Sequence, residues 1–585
     1  MAATPERQLH RTIKRPPAWL LIALLPFLAG AVSSAPEHIL LGKIHTVDPD
    51  NPLAEAVAIQ DGRFSAVGNA NDVLALAGPD TRVIKLGPNV AYPGFIDAHL
   101  HVASIGSALR SVDLTGATGF KDIVERVRSR AAETPTGELV VGRGWHQSKW
   151  AQQPEVTVAG FPDHPALSAA VPDHPVLLEH ANGHSIMINA KAMAMLGIDA
   201  DTQSPDGGVI VKDAAGQPTG VLHETATGLV APLAGYDLNT AKGFLRIAQD
   251  HILSLGITSA HDAGVSQVDL QAQRLLAEQG DLKLRLYSMV DGTDTAALDE
   301  WLARGHLLAT NDARLTVRSI KIVSDGALGS RTAWLHQPYS DAPDTRGVST
   351  YTMAELTALI DRTRGDNWQV NVHAIGDRAN SEVLQVFSET LENSPDHRFR
   401  IEHAQHLTAT DPALFAKLGV IASMQPIHLS SDRPWAIDRL GPSRIEEGAY
   451  MWRKLLDLGV TVASGTDAPV EPVNPLANFY AAVTRKQLSG LPPEGYESGQ
   501  KMARQQALYA MTMAGAIAGF EEADKGSVTV GKYADLTILS QDILVAAETD
   551  LLDTRVESVW VGGEMVFLAE PGGHSVAPGA TNPAY

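Results

Sequence analysis

Short apolar runs recur along the middle of the chain, with stretches of helical periodicity between them. GFIDAHLHV (94–102), GITSAHD (256–262), LRLYSMV (284–290) and SIKIVSD (319–325) are each of strand length. WQVNVHA (368–374), RFRIEHA (398–404), VIASMQP (420–426) and VTVASGTD (460–467) continue the series. Segments such as MAELTALIDRTRG and NSEVLQVFSETLEN place their apolar residues at helical spacing. Eight strands alternating with helices predict an α/β chain, a (β/α)8 TIM-like barrel over residues 93–522. The stretch from about 104 to 240 is too long for one crossover and reads as an insertion after strand 1. It leaves the carboxyl end of a strand, so it is expected to rise over the catalytic face of the barrel.

Both ends of the chain have a different rhythm. AEAVAIQDGRFSAVG alternates around Asp61-Gly62, a hairpin signal, and VESVWVGGEMVF does so around Gly562-Gly563. These pieces, 36–92 with 523–568, are expected to pair into a small composite β-sandwich. The tail over 569–585 is rich in Gly, Pro and Ala and is expected to be disordered. At the start, Arg7, Arg11, Lys14 and Arg15 precede an apolar run from Ala18 to Val32, followed by Ser33, Ser34 and Ala35. A charged start, a short apolar run and small residues form the pattern of a secretory signal peptide over 1–35, so export to the periplasm or medium is expected. The alternative is an uncleaved anchor helix. The run is shorter than the ~20 residues that span a bilayer and Pro26 interrupts it, so no stable membrane anchor is expected.

Composition narrows the chemistry. Lys+Arg 46 against Asp+Glu 67 leaves a net charge of −21, which argues against nucleic acid as a partner. With Cys at 0, disulfides, thiolate metal sites and cysteine nucleophiles are excluded. Any transition metal would have to be held by His, Asp, Glu or a modified Lys.

Residues able to bind metal fall at the ends of the predicted strands. Asp97, His99 and His101 share a parity and so face the same way on one strand. Two imidazoles at i and i+2 can bind one ion. His373 ends VNVHA, His403 ends RIEHA and Asp467 ends VASGTD. Each alone reads equally as a structural residue; together they form a pattern. Lys321 lies inside a strand expected to be buried on both faces, where an unpaired ammonium is costly. A desolvated amine can add carbon dioxide to become a carbamate that bridges two ions. The alternative is a salt bridge to Asp325 or Asp97.

The set GFIDAHLH, KIVSDGALGSRTAW, VNVHAIGDRAN, RIEHAQHL and ASGTDAPVEPVNPL resembles the amidohydrolase superfamily. It is most similar to the amidohydrolase-3 branch, which includes YtcJ-like proteins and N-substituted formamide deformylases. The likeness runs from these motifs through GWHQSKW to KGSVTVGKYADLTIL. The resemblance implies that His99 and His101 bind the more buried of two divalent metal ions. It implies a carboxylated Lys321 bridging to a second ion held by His373 and His403. Asp467 would bind the first ion and act as general acid/base. Nitrogen and oxygen donors without thiolate suit zinc, with manganese or iron as alternatives.

The implied function is metal-dependent hydrolysis of a non-peptide carbon–nitrogen bond in a small molecule: an amide, formamide or cyclic amide. Ester or lactone hydrolysis on the same site, and an exported binding protein without activity, are the alternatives. Trp145, His184 and Glu224 in the insertion, His261 after strand 2, and Asp325 and Arg331 after strand 4 are the candidate substrate contacts. For Trp145 the competing reading is packing, and for Asp325 and Arg331 it is holding the loop. Asp97 is expected to orient a histidine or to cap a turn. The oligomeric state is left open by the sequence.

Overall fold

The computed structural model describes residues 35–570, except 115, 148–149, 153–156, 181–184, 206–207, 310–313, 330, 365–366 and 392–395. The side chains of Glu224, Thr225, Ala234 and Arg364 are also outside the description. The expected signal peptide, Ala35 apart, and nearly all of the expected disordered tail therefore lie outside the described residues. Among the described residues no helix is long and apolar enough to cross a membrane.

All eight expected barrel strands form. In order they are Phe95–Leu100, Ile257–Val265, Arg285–Asp291, Leu315–Val323, Gln369–Ala374, Arg400–His403, Ile421–Met424 and Val462–Ser464. Each pairs in parallel with the next. Backbone bonds bring the eighth strand back to the first: Asp467 N–H donates to the His99 carbonyl at 2.7 Å, and His101 N–H to the Ala468 carbonyl at 2.9 Å. Asp97 tightens this seam. Its carboxylate accepts from His99 N at 3.1 Å, Thr466 N at 3.1 Å and Thr466 Oγ1 at 2.7 Å. Asp97 thus staples strand one to the end of strand eight rather than orienting a histidine ring.

Strand alternation sorts the chemistry. Ile320, Ile322, Val370, Val372 and Ile401 join the large apolar cluster shared with the surrounding helices. Their neighbours Ser319, Lys321, Asn371, Arg400 and Glu402 take the opposite face, toward the barrel axis, and are equally buried. Barrels of this type are ordinarily filled by branched apolar residues. The axis of this one is polar beneath its mouth.

The insertion begins directly after His101. It builds a six-stranded sheet in the order Gly208–Lys212, Pro218–Glu224, Ser185–Ile188, Val176–His180, Val140–Trp145 and Val112–Asp113. Two apolar clusters belong to it, one around Leu114, Ile123, Val127 and Leu178, the other around Leu177, Ile188, Ile210 and Leu222. The insertion therefore carries its own core. Its two stems are the helices Val102–Arg110 and Leu238–Ser254. They touch where Gly106 meets Phe244, so closely that a Cβ at 106 would lie 2.2 Å from the Phe244 carbonyl oxygen.

The termini join as expected. One seven-stranded path runs Glu564–Leu568, Val556–Val561, Leu536–Leu539, Arg82–Pro93, His38–His45, Leu53–Gln60 and Arg63–Gly68. It folds back on itself, since Arg63 bridges Tyr533 and the turns at Gly62 and Gly562 meet. Leu40, Ile59 and Phe64 from the amino end share a core with Leu536 and Trp560 from the carboxyl end.

A buried ion pair fastens this unit to the barrel. Arg285, in barrel strand three, donates to Asp535 through Nε at 2.7 Å and Nη2 at 2.9 Å. The Gly562 N–H also donates to Asp535, at 2.7 Å, and the Arg285 guanidinium lies over the Tyr533 ring. Burial would raise Asp535, but Arg285 holds it below the usual carboxylate range. Removing one partner strands a charge that is 2% exposed. Asp535→Ala is expected to destabilise the fold by about 3–5 kcal/mol, read by urea unfolding; a loss under ~1 kcal/mol would show that the pair contributes little.

Candidate active site

The carboxyl ends of strands one, four, five, six and eight converge on one cluster of imidazoles around Asp467. The ring centroids of His99 and His101 are 5.4 Å apart, those of His99 and His403 4.8 Å, and those of His373 and His403 4.5 Å. Asp467 Oδ1 lies 3.0 Å from His101 Nε2 and 3.5 Å from His99 Nε2. Its Oδ2 lies 3.5 Å from His428 Nε2 and 4.0 Å from His403 Nδ1. Two groups therefore have donor atoms within 4.8 Å of one another: His99, His101 and Asp467, and His403, His428 and Asp467. Asp467 belongs to both.

Two of these positions depend on an unusual backbone. His403 and Ala404 have φ of 75° and 43°, and Asp467 has φ of 59°, left-handed values that non-glycine residues seldom adopt. Regular alternation would send His403 to the face opposite Glu402. The turn at the strand end brings it into the mouth instead. Strain of this kind is often held at functional sites.

Three of the imidazoles are anchored through Nδ1. The His99 Nδ1–H donates to Glu402 Oε2 at 2.6 Å, His101 Nδ1–H to the Ala263 carbonyl at 2.8 Å, and His403 Nδ1–H to Gln425 Oε1 at 2.8 Å. The Nε2 atoms of His99 and His428 are buried without a hydrogen-bond partner. Burial, with the Lys321 charge adding to it, pushes His99 down to about 4. Burial, with His373 beside it, holds His403 well below the ordinary range. Both are neutral, the form in which imidazole binds metal. For His101, burial alone would lower the value, but the bond to Asp467 outweighs it and the net shift is upward. Asp467 stays ionised: burial opposes this, and the His101 bond overcomes it.

Lys321 is 5% exposed. Neither Asp325 nor Asp97 pairs with it. Burial lowers its pKa, and Glu402, Asp467 and Asp291 counter this through space without a hydrogen bond. A donor set of neutral imidazoles, an ionised carboxylate, two unpartnered nitrogens and a desolvated lysine fits divalent metal.

The candidate substrate contacts fare differently. Trp145 is buried, donates Nε1–H to the Leu178 carbonyl at 3.1 Å and packs on Trp150, Phe161 and His180. His261 lies fully buried in the polar interior, where Arg400 donates to its Nδ1 at 3.0 Å. Asp325 accepts from the backbone of Trp334, Ile375 and Gly376. Arg331 holds Asp341 with bonds of 3.1 and 2.8 Å. Arg331 secures the loop after strand four, whereas Asp325 ties that loop to the end of strand five and lies 3.3 Å from His373 Nε2. His184 and the Glu224 side chain fall outside the described residues. His428 lies in the stretch after strand seven, whose sequence reads equally as substrate contact or as structure, and neither Glu402 nor Gln425 carried a signal in the sequence.

A barrel with converging imidazoles at its carboxyl-terminal mouth is the architecture of metal-dependent hydrolases. The comparisons with known proteins agree, and the chain belongs to the amidohydrolase family: the family model "Amidohydrolase family" matches residues 82–567. The Bacillus subtilis (strain 168) protein YtcJ, which carries an amidohydrolase name, is 32% identical over 543 residues, covering 90% of this chain and 98% of that one. The N-substituted formamide deformylase of Arthrobacter pascens is 26% identical over 542 residues, covering 90% and 98%. An uncharacterised metal-dependent hydrolase from Pyrococcus furiosus superposes with a TM-score of 0.74 at 28% identity, covering 87% of this chain and 99% of that one. The chain is an enzyme of this family.

Gly465 packs on the backbone of the site. A Cβ there would lie 2.5 Å from His99 N and 2.9 Å from His99 O. Gly465→Ala is expected to keep the fold, by circular dichroism, while activity falls by about 100-fold as His99 shifts. Unchanged activity would show that His99 tolerates displacement.

Proposed function

We propose that this enzyme hydrolyses a non-peptide carbon–nitrogen bond of a small molecule, in an amide, formamide or cyclic amide. The convergence of two donor groups on Asp467 carries this reading. The residues fit two divalent ions, with zinc the best match to nitrogen and oxygen donors. His99, His101 and Asp467 would hold one. His373 and His403 would hold the other, with His428 as a further donor beside it and Lys321 between the two. When bound, such ions polarise a carbonyl oxygen and bring the ionisation of water near neutral pH.

The chain's own residues supply the rest. The Lys321 ammonium, destabilised by burial, gives up a proton, and the resulting amine forms an N–C bond with carbon dioxide and releases a second proton, leaving a carbamate. That converts a costly buried cation into an anionic ligand. Asp467, ionised and aimed into the mouth, takes the proton of the attacking water and delivers it to the leaving nitrogen. Arg331 is committed to its loop and Asp325 to the end of strand five and His373, so substrate selection passes to the insertion, where His184 and Glu224 are the candidates. The name of the Arthrobacter pascens relative supports N-substituted formamides as the first compounds to assay.

Purified protein is expected to carry two equivalents of divalent metal by elemental analysis and to cleave members of an N-formyl and N-acyl panel. Activity should vanish with a chelator and return with metal. Protein holding well under one equivalent, with no metal-restorable activity, would overturn the reading.

Lys321→Ala is expected to lose most activity and at least one metal while staying folded, with partial rescue by acetate or propionate. Lys321→Arg should not rescue, because a guanidinium stays charged and takes up no carbon dioxide. Normal turnover and two metals in the arginine variant would reduce Lys321 to a structural role.

A further inference from the structure

Glu402 lies on the barrel axis directly beneath the site, with its side chain 0% exposed. Its neighbour on the same face, Arg400, is equally buried, and their charged ends are 3.9 Å apart. Arg400 is held in turn by His261 Nδ1 at 3.0 Å and by the Ala518 carbonyl. A fully buried carboxylate persists only where partners compensate its lost hydration. At Glu402 the His99 Nδ1–H bonds Oε2 at 2.6 Å, while Oε1, without a hydrogen bond, is compensated through space by Arg400 and Lys321.

The first of these contacts separates His99 from its neighbours. Three imidazoles of the site are anchored through Nδ1, which leaves Nε2 to face the mouth; that of His101 is bonded to Asp467 Oδ1 at 3.0 Å. His101 is anchored by a backbone carbonyl and His403 by the Gln425 side-chain amide, both neutral acceptors. Only His99, among these three, is anchored by a carboxylate. A charged acceptor makes a shorter and stronger bond than a neutral one, and it raises the electron-donating power of the ring's other nitrogen. That nitrogen, His99 Nε2, is buried without a hydrogen-bond partner and lies 3.5 Å from Asp467 Oδ1.

We propose that Glu402 is a positioning residue that makes the His99–His101–Asp467 group the tighter of the two metal positions. It fixes the His99 tautomer and ring orientation and strengthens Nε2 as a donor, while Arg400 keeps the carboxylate charged in the dry interior. Gln425 plays the corresponding, weaker part for His403. This inference rests on the two-ion reading of the site.

The test is stepwise zinc binding by chelator competition, with unfolding of the metal-free protein measured alongside. Glu402→Gln replaces the charged acceptor with a neutral one of the same shape. It is expected to weaken the tighter zinc constant by about 10–100-fold and leave the weaker one within about threefold. Gln425→Leu is expected to do the reverse. Should Glu402→Gln fail to fold because Arg400 is left unpaired, Arg400→Met/Glu402→Gln removes both charges, and the same change in the tighter constant is expected. If the zinc constants of the folded variant match wild type and only the metal-free protein loses stability, Glu402 merely balances Arg400 and the proposal fails. If wild-type protein binds no zinc, the two-ion reading itself falls. Two zinc ions in wild type with unchanged constants in the variant sink the Glu402 assignment alone.

Discussion

His99 stands between two carboxylates, Glu402 at 2.6 Å and Asp467 at 3.5 Å, and no part of its side chain reaches solvent. The rest of the site depends on that arrangement. A neutral ring bonded through Nδ1 to a buried anion can present only its Nε2 lone pair to the mouth. Water cannot compete for either nitrogen. The geometry requires a carboxylate inside the barrel, and the carboxylate requires Arg400. Arg400 in turn requires acceptors of its own, supplied by His261 and Ala518. A chain of necessity therefore runs down the axis from the site, which explains why this interior is polar where an apolar filling is usual.

The same reasoning explains why the barrel is fastened at several points. Potential donor groups on five different strands keep their separations only if the ring does not breathe. Asp97 closes the seam beside His99, and the backbone bonds of Asp467 and His101 cross it at the level of the ligands themselves. Farther from the mouth, Arg285 and Asp535 tie barrel strand three to the terminal sheet. Asp542 links the two chain ends inside that sheet by accepting from Tyr92 at 2.8 Å, with His45 at 3.0 Å and Lys43 alongside. These are buried or partly buried bonds between segments far apart in the chain. Such contacts constrain relative position more than they add stability.

Much of this was legible in the chain. All eight strands were readable because a parallel strand covered on both faces is a short apolar run, and a polar residue lies at or beside the end of each run here. His99, His101, His373, His403 and Asp467 stood out because ligands at strand ends follow such runs directly. Glu402 did not. It precedes His403, and strict alternation puts the pair on opposite faces, so a site residue at 403 gives no pointer to 402. The left-handed turn at His403 and Ala404 breaks the alternation and lets both serve the site. His428 was hidden for another reason. It sits in the first turn of the helix Pro426–Leu440, after strand seven, where no periodic signal marks a residue that leans over the mouth. Asp325 and Arg331 carried the right chemistry but were already engaged, which only the fold of their loop reveals.

The division of labour follows from where the chain can vary without disturbing this column. The strand-end side chains are fixed by the ring, and the polar interior is fixed by its own charge balance. The insertion carries two apolar clusters of its own and leaves the barrel immediately after His101, so its surface can change while its stems hold. Close packing at Gly106 against Phe244 sets the angle of those stems, since any larger residue at 106 would push the helices apart. A rigid stem beneath an independently folded cap is what a common hydrolytic centre needs in order to meet different substrates. On the proposed function, the chemistry would stay with the barrel, and the choice of substrate would fall to the part of the chain that the barrel does not constrain.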